Sequence, residues 1–150
     1  MVTPYDQLDR RFVELRPLIG TARPARGWIR AIREALGLTT GQLAKRLNVQ
    51  QPRVVELEKG EATGNVTVKS LERAAEAMGC RLVYALVPVR PLASTLEEQA
   101  ALVADRQLAA VEQSMRLEAQ SVNDQAQRKQ ARQQLAKDLL RRPARLWDET

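Results

Sequence analysis

Between Trp28 and Gly60 the chain reads WIRAIREALGLTTGQLAKRLNVQQPRVVELEKG, and the spacing of its apolar residues predicts three short helices in succession. The first runs near Trp28 to Leu36, with Ile29, Ile32 and Leu36 on one stripe and Gly37 as its stop. The second begins at about Thr40, whose hydroxyl can cap it, and ends at Leu47 after burying Leu43, Ala44 and Leu47. Asn48-Val49-Gln50 then forms a tight turn, and the third helix spans Gln51 to Lys59. Pro52 falls in its first turn, where a missing N–H costs nothing, and Gly60 closes it. Apolar residues stand where two crossing helices must touch and polar ones where a groove would lie. This is how a helix-turn-helix presents a reading helix to DNA.

Working outward, a fourth helix is expected from Val68 to Met78, with Leu71, Ala74, Ala75 and Met78 facing inward and Gly79 closing it. The run Cys80-Arg-Leu-Val-Tyr-Ala-Leu-Val87, stopped by Pro88, has the β-branched and aromatic content of a strand. No second strand is visible, so the economical partner is the same strand of a second copy, giving a homodimer through residues 80–87. On the N-terminal side, Leu8, Phe12 and Leu15 predict a short helix over Tyr5 to Leu15, and Pro17 to Gly27 reads as a linker.

Past Pro91 there is neither Pro nor Gly until Pro143, and either Ser94 with Glu97 or Thr95 with Glu98 can form a capping box. Leu96, Ala100, Val103, Leu108, Val111, Met115 and Val122 make a stripe that must cover its own core, a second copy or another protein. Asn123-Asp124 is the expected weak point. The fold class is therefore mainly α: a helix-turn-helix core, one strand pairing between subunits, and a C-terminal helical extension. The expected divisions are 1–26 for the N-terminal helix and linker, 27–79 for the core, 80–91 for the dimerising strand and 92–150 for a helical partner-binding region.

Composition narrows the function. The 150 residues carry 24 Lys and Arg against 18 Asp and Glu, a net charge of +6 that favours polyanions without concentrating in one block of the core. There is no His and a single Cys, which removes imidazole bases, Cys/His zinc sites and intrachain disulfides. With no phosphate loop or nucleophile elbow either, no catalytic residue, metal or cofactor is expected. No apolar run is long enough to span a bilayer and no signal core opens the chain, so a soluble cytoplasmic protein is expected.

DNA recognition needs phosphate contacts for register and side chains that reach base edges. Gln51, at the start of the third helix, carries the donor and acceptor pair that matches adenine, and Arg53 can reach a phosphate or a guanine edge. Gln50 and Glu56 are secondary readers. Thr40 and Gln42 open the second helix, whose N–H groups suit a phosphate, and Lys45, Lys59 and Lys69 add charge. Double-stranded operator DNA is the expected ligand. Glu58 is given a structural role, bonding backbone N–H groups of the following loop, since a carboxylate facing phosphate would repel.

Leu43-Ala44, Gln51 and Leu57-Glu58-Lys59-Gly60 resemble the Cro/cI-type, or XRE, helix-turn-helix family over about Trp28 to Met78, which implies a lambda-repressor-like core. Thr40 stands where many members carry a Gln that braces the reading helix, and Pro52 is a second departure. Gly27-Trp-Ile-Arg-Ala-Ile-Arg33 and Arg81-Leu-Val-Tyr-Ala-Leu-Val-Pro88, after Met78-Gly-Cys80, are similar to the "mobile mystery protein A" family, whose members are encoded beside a Fic-domain protein. That resemblance implies an antitoxin that represses its operon and restrains a Fic-type AMP transferase. Ser114 and Glu118, one helical turn apart, partly match the Ser/Thr-x-x-x-Glu-Gly/Asn inhibitory motif, with Ala119 at its last position. The alternative is a free-standing repressor whose C-terminal helices only serve oligomerisation.

Three further residues complete the reading. Cys80 is expected to act as a small buried hydrophobe and Trp28 as a core anchor. Trp147 either folds back on its own domain or docks on a partner, and the basic run from Arg128 to Arg145 is a solvated face or a contact to DNA flanks.

Overall fold

A computed structural model describes residues 1–117 and 125–148, with side chains described over 1–114 and 125–148. Its α-helices are α1 (Pro4–Leu15), α2 (Trp28–Ala35), α3 (Thr40–Leu47), α4 (Gln51–Thr63), α5 (Val68–Ala77), α6 (Leu92–Leu117) and α7 (Gln125–Leu140). Short 3-10 helices cover Arg16–Gly20 and Pro143–Trp147. The chain divides into two compact units, Gly20–Leu86 and Met1–Ile19 with Val87–Thr150. No helix among the described residues is long and apolar enough to cross a membrane.

The Gly20–Leu86 unit packs α2 to α5 around Ile29, Leu43, Ala44, Val54, Leu57, Ala74 and Met78. Its local signals place most helix ends within a residue or two of expectation, with instructive exceptions. Thr39, not Thr40, caps α3: its hydroxyl accepts from Gln42 N at 3.1 Å while Gln42 Oε1 accepts from Thr39 N at 2.8 Å. Thr40 is thereby the first residue inside the helix. Gly60 does not end α4, which continues to Thr63 and closes on Gly64 at φ 81°. Gly60 serves a close approach instead, because a Cβ there would stand 2.5 Å from the Asn65 carbonyl oxygen, and Asn65 N donates to Gly60 O at 2.7 Å.

Trp28 is not a core anchor; it is 48% exposed, and Ile29 fills the core position beside it. What holds the start of α2 is the buried Glu61 carboxylate, which accepts from Trp28 N at 3.0 Å and Ile29 N at 2.8 Å. It caps a helix end across 33 residues of sequence, where N–H groups would otherwise lack partners. Gly27, at φ 89°, is needed for this contact, since a Cβ would come within 2.6 Å of Glu61 Oε1.

The strand expected over 80–87 does not form: the segment has no regular secondary structure, and no strand occurs among the described residues. Composition favours a strand here, but a strand is defined by hydrogen bonds to a neighbour, and no segment pairs with this one among the described residues. Val83, Tyr84 and Leu86 are exposed as a result. Cys80, at the start of the segment, is half-buried and packs against the core.

In the other unit α6 and α7 form an antiparallel hairpin, as the pairings of Asp105 with Arg132 at 3.0 Å and Glu112 with Arg128 at 2.9 Å require. Ala100, Val103 and Leu146 make its buried core, with Leu96, Ala136, Leu139 and Leu140 packed around them. Gln99 Nε2 donates to Leu146 O at 2.9 Å, pinning the last 3-10 helix. The neighbour of Trp147, not Trp147 itself, is the residue fully buried there. Neither expected capping box starts α6, because the helix begins at Leu92, ahead of Ser94 and Thr95. Its N-terminus is capped from α1, whose Asp9 carboxylate accepts from Leu92 N at 2.7 Å and Ala93 N at 3.1 Å. Glu98 pairs instead with Arg90. Of the expected stripe, Val111 is exposed on α6, and Val122 and Asn123-Asp124 lie outside the described residues.

Candidate nucleic-acid interface

On α4 the buried residues Val54, Leu57, Glu58 and Glu61 share one face, and Gln51, Pro52, Arg53, Val55, Glu56 and Lys59 are exposed around the rest. A 3.6-residue period makes these two sets opposite surfaces of one cylinder. The exposed surface is the one that can enter a groove. It is held in place by what lies behind it.

Behind it, Glu58 is tied to Arg33 of α2 by a two-pronged ion pair, Nε to Oε1 and Nη2 to Oε2, with both side chains nearly buried. Arg33 Nη1 also donates to Leu38 O at 2.9 Å, so the guanidinium joins α2, the following loop and α4. The Glu58 bond raises the Arg33 pKa further above its ordinary value despite burial, which keeps the guanidinium charged. Glu58 is structural as expected, but its partner is an arginine rather than loop N–H groups. Arg23 reinforces the far end of α4 by donating to Glu61 O at 2.8 Å and Ala62 O at 3.3 Å.

Gln51 Nε2 donates to Thr40 Oγ1 at 2.8 Å, linking the start of the reading helix to the start of α3. Thr40 thus supplies an acceptor that holds the Gln51 amide. Gln42 is committed to the Thr39 cap through its oxygen, and Gln50 is the residue before α4, exposed and without a capping bond. Arg53 and Glu56 form an exposed pair at 3.3 Å, one turn apart, so their charges lie together on the exposed surface. Lys59 follows on the same exposed surface, and Lys45 and Lys69 are exposed on α3 and α5. The structure therefore joins Thr40 to Gln51 and Arg53 to Glu56, leaves Gln50 and Lys59 without such links, and assigns Gln42 a capping bond.

Val55 also belongs to this surface: it is 37% exposed beside the fully buried Val54 and lies four residues after Gln51. The i, i+4 spacing from Gln51 to Val55 to Lys59 was the available signal. Ser114 is exposed on α6, and Glu118 lies outside the described residues. The cleft between α3, α4 and α5, lined by Leu47, Val49, Val54 and Leu57, offers only ≈ 50 Å³. That is far below what a small-molecule effector fills.

Comparison with known proteins agrees with this geometry. No curated protein and no solved structure matches the chain. Residues 29–84 match the helix-turn-helix family model HTH_3, a span that takes in α2 to α5 and the start of the segment that follows. The chain carries a Cro/cI-type helix-turn-helix DNA-binding domain.

Proposed function

We propose that the protein is a transcriptional repressor that binds operator DNA as a two-fold dimer, with α4 in the major groove. The observation that carries this reading is the Thr40–Gln51 bond, which orients a base-reading amide on a surface whose other exposed groups are mainly polar. The N-terminus of α3 adds backbone N–H groups suited to a phosphate. Support for the dimer comes from the 80–87 segment: Val83, Tyr84 and Leu86 are exposed strand formers without a ladder, and a second copy supplies the matching edge. A two-fold pair would read half-sites about one DNA turn apart.

The experiment is a gel shift with the full chain on duplex DNA from just upstream of its gene, across a range of salt. A salt-sensitive, sequence-specific band is expected, and replacing Gln51 and Arg53 together by Ala should abolish the specificity without unfolding the chain. A band indifferent to sequence removes the repressor reading.

The narrower proposal is that the α6–α7 unit restrains a Fic-type AMP transferase. Its support is the similarity of residues 27–33 and 81–88 to that antitoxin family and the spacing of Ser114 and Glu118. A carboxylate competes with phosphate for a partner's arginine because both accept its forked donors. Co-expression with the product of the neighbouring reading frame tests it: Glu118→Ala should release AMP transfer while the complex persists. If the transferase stays silent in the persisting complex, Glu118 has no part in the restraint; if no complex forms, the alternative of helices that only serve oligomerisation is favoured.

A further inference from the structure

We infer that Val55, walled by Pro52, reads a thymine methyl group beside the adenine contacted by Gln51. The inference rests on the DNA-binding reading above and adds to it the identity of a second base. Val55 keeps over a third of its surface exposed although the residue before it, Val54, is wholly buried, so an apolar, β-branched end remains open on the outer face of the helix. Its position gives it a use. Gln51, Val55 and Lys59 are spaced four apart and form one ridge along α4, and Pro52 lies three residues before Val55 on the same exposed surface. Pro52 and Val55 are the apolar members of that surface, set among Gln, Arg, Glu and Lys.

Gln51 sets the register. One of the two hydrogens on its Nε2 goes to Thr40 Oγ1, which leaves the second N–H and Oε1, the pair that adenine N7 and N6 require. Four residues advance about 6 Å along a helix, so the Val55 methyls arrive roughly one to two base steps from that adenine. In the major groove the apolar feature at base level is the thymine 5-methyl. Uracil lacks it while keeping every hydrogen-bonding group, which isolates the contact chemically.

The test selects duplexes from a randomised pool with the full chain, then resynthesises the enriched duplex with each thymine in turn replaced by deoxyuridine. One thymine per half-site is expected at which the loss of a methyl weakens binding roughly threefold to fivefold. Val55→Ala should bind the thymine and uracil duplexes alike while keeping the adenine preference set by Gln51. Equal binding of every uracil duplex by the wild-type chain overturns the inference, as does a Val55→Ala chain that still discriminates fully. Enrichment of a sequence without methyl dependence sinks this inference and leaves the DNA-binding reading standing. No enrichment at all overturns both.

Discussion

The two units of this chain are built on different principles. In the Gly20–Leu86 unit, buried polar groups fix the geometry: Arg33 locks Glu58, and Glu61 caps α2 from α4. Each of those bonds has one end on α4, the helix that would meet DNA. In the other unit the buried core among the described residues is small, centred on Ala100, Val103 and Leu146, and its ion pairs lie on the surface. A helix that must present side chains within an ångström of their targets is held by paired groups that tolerate no slippage, since a buried charge without its partner is costly. A hairpin held by a few apolar residues and exposed charges faces no such demand.

The contrast can be broken by substitution, because each unit carries its own tryptophan reporter, Trp28 in one and Trp147 in the other. The largest effect is expected for Arg33→Ala, which leaves Glu58 buried without its cation and should destabilise the first unit by about 3–5 kcal/mol. Urea unfolding followed through Trp28, in a chain carrying Trp147→Phe, should show it. Replacing both Arg33 and Glu58 with apolar residues should recover much of the loss; if it recovers none, the pair is not acting as a unit.

Asp9→Ala should cost about 1 kcal/mol by uncapping α6, and the loss should register at Trp147 without shifting the Trp28 transition. A shift in both would mean that the cap supports the whole chain. Smaller still, Arg132→Ala should cost under about 1 kcal/mol, and less in high salt, because its pair with Asp105 is half in solvent.

Within these units, what the sequence disclosed depended on how far apart the interacting residues are. Helices α2 to α5 were readable from stripes such as Ile29 with Ile32, because helical periodicity is a local signal. The choice of Thr39 over Thr40 as the cap was not, since both hydroxyls suit the role and only packing decides that Thr40 faces Gln51. Asp9 capping α6, across 83 residues, leaves no periodic trace at all. Glu61 reaching Trp28 and Ile29 is the same case, and at that helix start Ile29 rather than Trp28 takes the core position. At 80–87 composition speaks for a strand, but pairing is a property of two segments, and no second one meets it among the described residues. The surface proposed to read bases is partly legible: Gln51 and Arg53 stand out as polar residues at a helix start, whereas Val55 looks like one more core residue until its exposure is known.

The smallest effect expected is a pH dependence at the start of α1. Hydrogen bonds from the Thr3 hydroxyl and backbone N–H hold the Asp6 pKa below its ordinary value. Because the folded pKa is the lower one, the contribution is complete above the ordinary carboxylate range and disappears as pH falls below about 4. A carboxyl titration by NMR should show Asp6 below the usual range in the wild type and returned towards it in Thr3→Ala; no difference between the two would deny the capping box.

The central claim is that DNA meets the exposed surface of α4 and the start of α3, rather than the basic helix α7. Backbone amide shifts of the full chain, recorded by NMR as its selected duplex is added, test this most directly. Perturbations are expected to cluster at residues 39–42, 50–56 and 59. Perturbations centred on 128–145, with α4 unmoved, would contradict it.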